Sequence, residues 1–154
     1  MAGQKILLPY NFTSFDRKAL EFVINTYSSL KDAEITLFNA YMPVPEIEMR
    51  DSPIMQKMTG NLSYLSQRIN EQEAELKLVK EKLVVKGFSE NQIKTIFEPR
   101  KKDVADDIIG LAQNKRFDVV ILSRTPGKVK GFFTGNVFSK VVKALKDTTV
   151  CIVS

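Results

Sequence analysis

The chain has 154 residues, 44% of them hydrophobic and 27% charged, with a formal net charge of +5. That length suits one domain over residues 1–154, burying roughly two-thirds of the surface of its unfolded chain, and no apolar run approaches the roughly 20 residues that span a bilayer. With no histidine and one cysteine, Cys151, a Ser-His-Asp triad, a Cys-His pair, His-ligated zinc and an internal disulfide are all excluded.

The opening MAGQKILLPYNF enters a strand-like run with no basic segment leading into a long apolar one, so no secretory signal is expected and a cytoplasmic location is. Basic residues are not interleaved with aromatics on any one element, so the positive charge reads as a solvated surface and not as a nucleic-acid footprint.

In chain order, KILLPY (5–10) reads as the first strand. Thr13 and Asp16 then resemble a capping box, and Leu20, Val23, Ile24, Tyr27 and Leu30 fall on one face of a first helix. EITLFNAY (34–41) is the second strand. A long second helix is expected over 58–86, with Gly87 as its C′ residue. Along it Leu62, Leu65, Ile69, Gln72, Leu76, Val79 and Leu83 recur in steps of three and four. We read this stripe as packed on a sheet; the alternative is a short coiled-coil seam with Gln72 setting its register.

QIKTIFE (92–98) follows as a third strand. Asp103 and Asp106 suit the first turn of a third helix whose inner face is Val104, Ile108, Leu111 and Ala112. DVVILS (118–123) is the fourth strand, and the last helix directs Val137, Phe138, Val141, Val142 and Leu145 inward. TVCIVS (149–154) is the fifth strand, in which Cys151 reads as a buried, inert thiol. Strands alternating with helices imply right-handed crossovers and an open parallel α/β sheet with helices on both faces.

In such a sheet ligands bind beyond the carboxyl ends of the strands, where the loops 9–14, 40–49, 98–103 and 123–135 meet. Gly127, Gly131 and Gly135 lie in the last of these, which has the outline of a phosphate cradle. The loop matches neither G-x-x-x-x-G-K-[ST] nor G-x-G-x-x-G. A receiver-type Mg²⁺ site fails on charge, because PYNFTS carries no carboxylate before Asp16 and the loop after the third strand is basic.

The stretches KILLPYNFTSFDRKALEFV, VVKGF and DVVILSRTPGKVKGFFTGNVFSKVVKALKDTTVCIVS resemble the universal stress protein family along the whole chain. The resemblance implies a five-stranded fold of the adenine-nucleotide alpha-hydrolase-like type, strand order 3-2-1-4-5, commonly dimeric. The ATP-binding branch of that family carries G-x-x-G, nine residues, then G-[ST]. The matching positions here are Leu122, Ser123, Arg124 and Thr125, then nine residues, then Gly135 and Asn136, so one of three glycines is kept. Side chains at Leu122 and Thr125 stand where the backbone would approach phosphate. Asn11 replaces an Asp near the sugar and is the weaker acceptor, and Asn136 suits a helix cap.

The resemblance therefore implies a non-catalytic, homodimeric regulatory or binding protein whose ATP binding is lost or weakened. An adenine nucleotide held weakly would meet Pro9, Tyr10, Asn11, Phe12, Ala40, Tyr41, Ser123, Arg124, Thr125, Gly127, Lys128, Lys130, Gly135 and Asn136. Arg100, Lys101 and Lys102 add positive charge at the same edge. Two alternatives stand beside this reading: an atypical ATP or AMP binder using the basic 123–136 loop, with slow hydrolysis or autophosphorylation open to it, and a scaffold that binds a protein partner through the helix 58–86. No metal is implied. The dimer is expected through Thr149, Val150, Cys151, Ile152 and Val153, a β-branched strand whose free edge a second copy would cover.

Overall fold

The apolar runs pair as parallel strands, and the order of pairing puts the first strand at the centre. In the computed structural model, which describes residues 3–44, 53–124 and 136–154, β1 (Lys5–Pro9) lies between β2 (Glu34–Tyr41) and β4 (Val119–Ser123). β3 (Ile93–Pro99) and β5 (Thr149–Val153) form the two edges, giving the order β3-β2-β1-β4-β5 anticipated from the sequence. Ile6 is level with Ile35 on one side and with Val119 on the other. Ile6, Leu7 and Leu8 are all fully buried, as a strand covered on both faces requires.

The connecting helices are α1 (Ser14–Tyr27), α2 (Pro53–Val85), α3 (Val104–Asn114) and α4 (Asn136–Ala144). Strand alternation divides the core. Ile6, Leu8, Ile35, Leu37 and Ile121 pack with Leu20, Val23, Leu76 and Leu83 of α1 and α2. Leu7, Phe38, Val120 and Leu122 pack with Ile108, Ala112 and Val141 of α3 and α4. The strand order reverses between β1 and β4, which locates the switch point.

Local chemistry sets the helix ends. The capping box at Thr13 and Asp16 is present. At the other end of α2, Phe88 N donates to Leu83 O and Gly87 N to Val84 O, the paired bonds of a Schellman motif, with Gly87 at a φ of 123°. Phe88 and Leu83 share the core beneath it. Gln92 is buried and its Nε2 donates to Leu30 O and Ala33 O, tying the entry of β3 to the turn before β2.

Four expectations are corrected. Leu30 lies beyond the end of α1 and is largely exposed, because the chain turns there, with Leu30 N bonded to Tyr27 O. Val142 is 51% exposed; one residue past Val141 on a helix, it points about 100° away from the apolar stripe. The α2 stripe is buried at Leu76 and Leu83, whereas Leu65 is 40% exposed. Cys151 is half-buried, because it sits on an edge strand.

Candidate functional site

The floor of the candidate site is built by one carboxylate. Asp16, buried in the first turn of α1, accepts from Asn11 N (2.9 Å), Thr13 N (3.2 Å) and Thr13 Oγ1 (2.8 Å) through Oδ2. Its Oδ1 accepts from Ser123 Oγ at 2.5 Å, joining the end of β4 to the β1–α1 loop across the switch point. The two backbone donors flank Phe12, whose φ of 61° is unusual for a residue with a Cβ. Convergence of both N–H groups on one oxygen holds that conformation.

Above this floor opens a cavity of about 90 Å³. One wall is apolar: Phe38, Val104, Ile108, Leu122, Val137 and Phe138, drawn from β2, α3, β4 and α4. The other carries Pro9, Tyr10, Asn11, Thr13, Phe15 and Asp16, with Asn39, Ala40, Arg100 and Ser123 at the strand ends. Burial, and then the nearby Asp16 carboxylate, push the Tyr10 phenol above its ordinary range, so its hydroxyl stays protonated. Asn39 lines the cavity and is buried, its Nδ2 donating to Tyr10 O at 2.9 Å and lying 3.5 Å from Asn11 Oδ1. Among the described residues, Asn39 Oδ1 and Arg100 Nε are buried without a hydrogen-bond partner.

Of the residues anticipated at this edge, Pro9, Tyr10, Asn11, Ala40 and Ser123 line the cavity. Phe12 instead packs toward the α1–α2 side of the core, edge-on to Tyr10 at 5.4 Å. Tyr41 stacks on Phe97 at 4.5 Å, outside the cavity. Arg124 is exposed, with its N–H donated to Val153 O. Thr125, Gly127, Lys128, Lys130 and Gly135 lie outside the described residues. Asn136 is the first residue of α4. Lys101 and Lys102 are exposed, so among the described cations of this edge it is Arg100 that lines the cavity.

Sequence reasoning missed Asp16 and Asn39 as parts of this edge. Capping accounts for Oδ2 of Asp16 and leaves its Oδ1 bond to Ser123 unannounced. Asn39 carried a legible signal: an amide inside the otherwise apolar run ITLFNA, where a buried polar group demands partners. No cluster of His, Cys, Asp or Glu among the described residues is arranged to hold a metal ion. No helix among them is long and apolar enough to cross a membrane.

Sheet order and cavity together define a doubly wound α/β protein with a candidate ligand site at its switch point. The family model described as the universal stress protein family matches residues 3–152, and the chain belongs to that family. Among solved structures, the universal stress protein UspA from Lactobacillus plantarum is 16% identical with a TM-score of 0.69, over 100% of this chain and 99% of its own. A universal stress protein in complex with cAMP is 17% identical, TM-score 0.65, covering 100% of this chain and 98% of its own. The universal stress protein from Archaeoglobus fulgidus in complex with dAMP is 13% identical, TM-score 0.64, with both chains covered completely, at 100%. A search of the curated proteins found no sequence match.

Proposed function

We propose that this chain is a non-catalytic binding protein of the universal stress family that holds an adenine nucleoside monophosphate weakly in the switch-point cavity and binds ATP poorly. The observation that carries this is the cavity itself: an apolar lining together with hydrogen-bonding groups, at the edge where open α/β sheets take ligands. The cAMP and dAMP of the two related structures are both adenine nucleoside monophosphates, which supports the ligand class. Poor ATP binding is supported by Leu122, a buried side chain in the cavity wall at a position where the ATP-binding pattern has glycine. A binding role, as opposed to catalysis, is supported by the commitment of both Asp16 oxygens and the Ser123 hydroxyl to internal bonds. A cytoplasmic location belongs to the same proposal.

Calorimetry with AMP and with ATP tests it. AMP should bind, and ATP should bind more weakly than about 100 μM. ATP binding should fall with salt, since side-chain cations would then carry it. Low-micromolar, salt-insensitive ATP binding would overturn the degenerate-loop reading. Leu122→Gly, Thr125→Gly, Asn136→Ser and Asn11→Asp together should raise ATP affinity.

The homodimer belongs to the same proposal. Thr149 N bonds to Asp118 O and Arg124 N to Val153 O, so the odd positions of β5 face β4. By the alternation of a parallel ladder, the N–H groups of Val150 and Ile152 then face the free edge. Val150→Pro should therefore weaken dimerisation without removing a β4–β5 bond. Wild-type monomers in sedimentation at tens of micromolar would count against it. A scaffold role has its own support in the exposed Tyr64, Leu65 and Leu78 of α2. It predicts that a Tyr64→Ser/Leu65→Ser protein keeps its AMP affinity while losing its protein partner.

A further inference from the structure

Among the described residues, large apolar side chains left exposed gather on α2, as Tyr64, Leu65, Leu78, Val84 and Val85. Leu65 belongs to the stripe that faces the sheet further along the helix, but Leu78 and Val85 do not. Each lies two residues after a fully buried one, Leu76 or Leu83, which turns it about 200° around the helix to the outer side. Leu78 is 61% exposed and Val85 82%, and their spacing of seven keeps both on one outward row, which the exposed Ala74 extends by a turn. The outer row of a helix packed on a sheet is ordinarily polar.

Charge beside this row is ordered. Glu71, Glu75, Lys82 and Lys86 follow one another in steps of four, seven and four, so they share one side, and all four are exposed. The acidic pair precedes Leu78 and the basic pair follows it. Lys82 reaches Glu21 of α1 only at 3.6 Å, and the other three make no ion pair among the described residues. Such a row complements a copy of itself running the other way. A two-fold axis crossing α2 near Leu78 sets Glu71 beside the partner's Lys86 and Glu75 beside the partner's Lys82, and each pair occurs twice, whereas a parallel copy sets like charges together.

We infer that α2 is a second self-association surface, on which two copies pair antiparallel with Leu78 against the partner's Leu78 and the Glu71–Lys86 and Glu75–Lys82 pairs flanking it. α2 packs over β2 and β3, towards the opposite edge of the sheet from β5. The contact is therefore separate from the β5 dimer proposed above, and both together join dimers into a larger assembly.

The test has two arms. In the first, Leu78→Cys and Tyr64→Cys are each placed in a Cys151→Ser chain and oxidised mildly. Leu78→Cys should give a disulfide-linked dimer and Tyr64→Cys should not, because the two-fold leaves the two copies of position 64 about 40 Å apart along the helix axis. The second arm is sedimentation of the Val150→Pro protein at tens of micromolar, where the β5 contact is weakened. A dimer should remain. Adding Glu71→Lys/Glu75→Lys, or Lys82→Glu/Lys86→Glu, should weaken it by at least about tenfold, and an equimolar mixture of the two should restore it, since the altered rows complement each other. Monomeric Val150→Pro protein, a dimer indifferent to both charge changes, a mixture that stays monomeric, or equal cross-linking at positions 64 and 78 overturns the inference and leaves the outer row to a different protein partner. If Val150→Pro fails to fold, the cross-linking arm decides alone.

Discussion

Helices α1 and α2 present the same apolar spacing and behave differently. α1 has 14 residues, and its whole stripe from Ala19 to Tyr27 is buried against the sheet. α2 has 33 residues, and its stripe is fully buried at Leu76 and Leu83, with Val79 partly so, while Leu65 is 40% exposed. Length accounts for the difference. A helix of that size runs about 50 Å at 1.5 Å per residue, whereas the longest of the described strands, the eight residues of β2, spans about 26 Å at roughly 3.3 Å each. The sheet can cover about half of α2, and the Schellman end at Gly87 anchors which half. An apolar period therefore identifies a stripe, but the partner's dimensions decide how much of it is core.

The largest effect should come from breaking the covered half. Leu76→Ala opens a cavity in the α1–α2 core and should lower stability by about 2–5 kcal/mol, read as a shift in the denaturant midpoint. An unchanged midpoint would mean that α2 is not packed as described. On α1, Asp16→Ala removes the carboxylate half of the capping box and strands the Asn11, Thr13 and Ser123 donors, which should cost about 2–4 kcal/mol. Ser123→Ala alone should cost less, since Asp16 keeps its Oδ2 bonds; equal losses would show that the link to β4 is the main contribution.

Smaller effects sharpen the contrast. The Lys82–Glu21 pair joins the covered end of α2 to α1 at 3.6 Å, but both side chains are about half exposed, so Lys82→Ala should change stability by less than about 1 kcal/mol. Leu65→Ala, on the overhanging half, should stay within about 0.5 kcal/mol of wild type. A large loss there would place a hidden contact on that surface.

The smallest effect is a dependence on pH at the exposed cap of α3. The Asp103 carboxyl is held below its ordinary range by the Asp106 backbone N–H and then by Lys140. A depressed folded-state value means that the stabilisation is present above the ordinary carboxylate pKa of about 4 and is lost as pH falls through the lower folded value. The stability difference between wild type and Asp103→Ala should therefore be steady at neutral pH and shrink in acid. A difference that grows on acidification would contradict this cap.

The strands, the sheet order and the capping box were legible because they follow from local chemistry and from a family resemblance that spans the chain. Apolar runs of strand length, Thr13 three residues before Asp16, and Gly87 after the last periodic position each declare themselves within a few residues. The switch-point cavity was legible as a place but not as a set of side chains. Pro9, Tyr10, Asn11, Ala40 and Ser123 could be named because they sit in or beside the loops that every such sheet brings together.

What only the tertiary structure decided depends on distance through space. Asp16 meets Ser123 across 107 residues, and Asn39 meets Tyr10 across 29, so no local pattern announces either bond. Val104, Ile108, Val137 and Phe138 read as ordinary inward positions of two helices, and only the approach of α3 and α4 to one strand end turns them into a cavity wall. Sequence carries the period of a helix and the residues that stop it, because these act over one turn of backbone. Where the sheet ends beneath α2, and which polar atoms are left without partners when the layers close, depend on how separate elements pack in three dimensions.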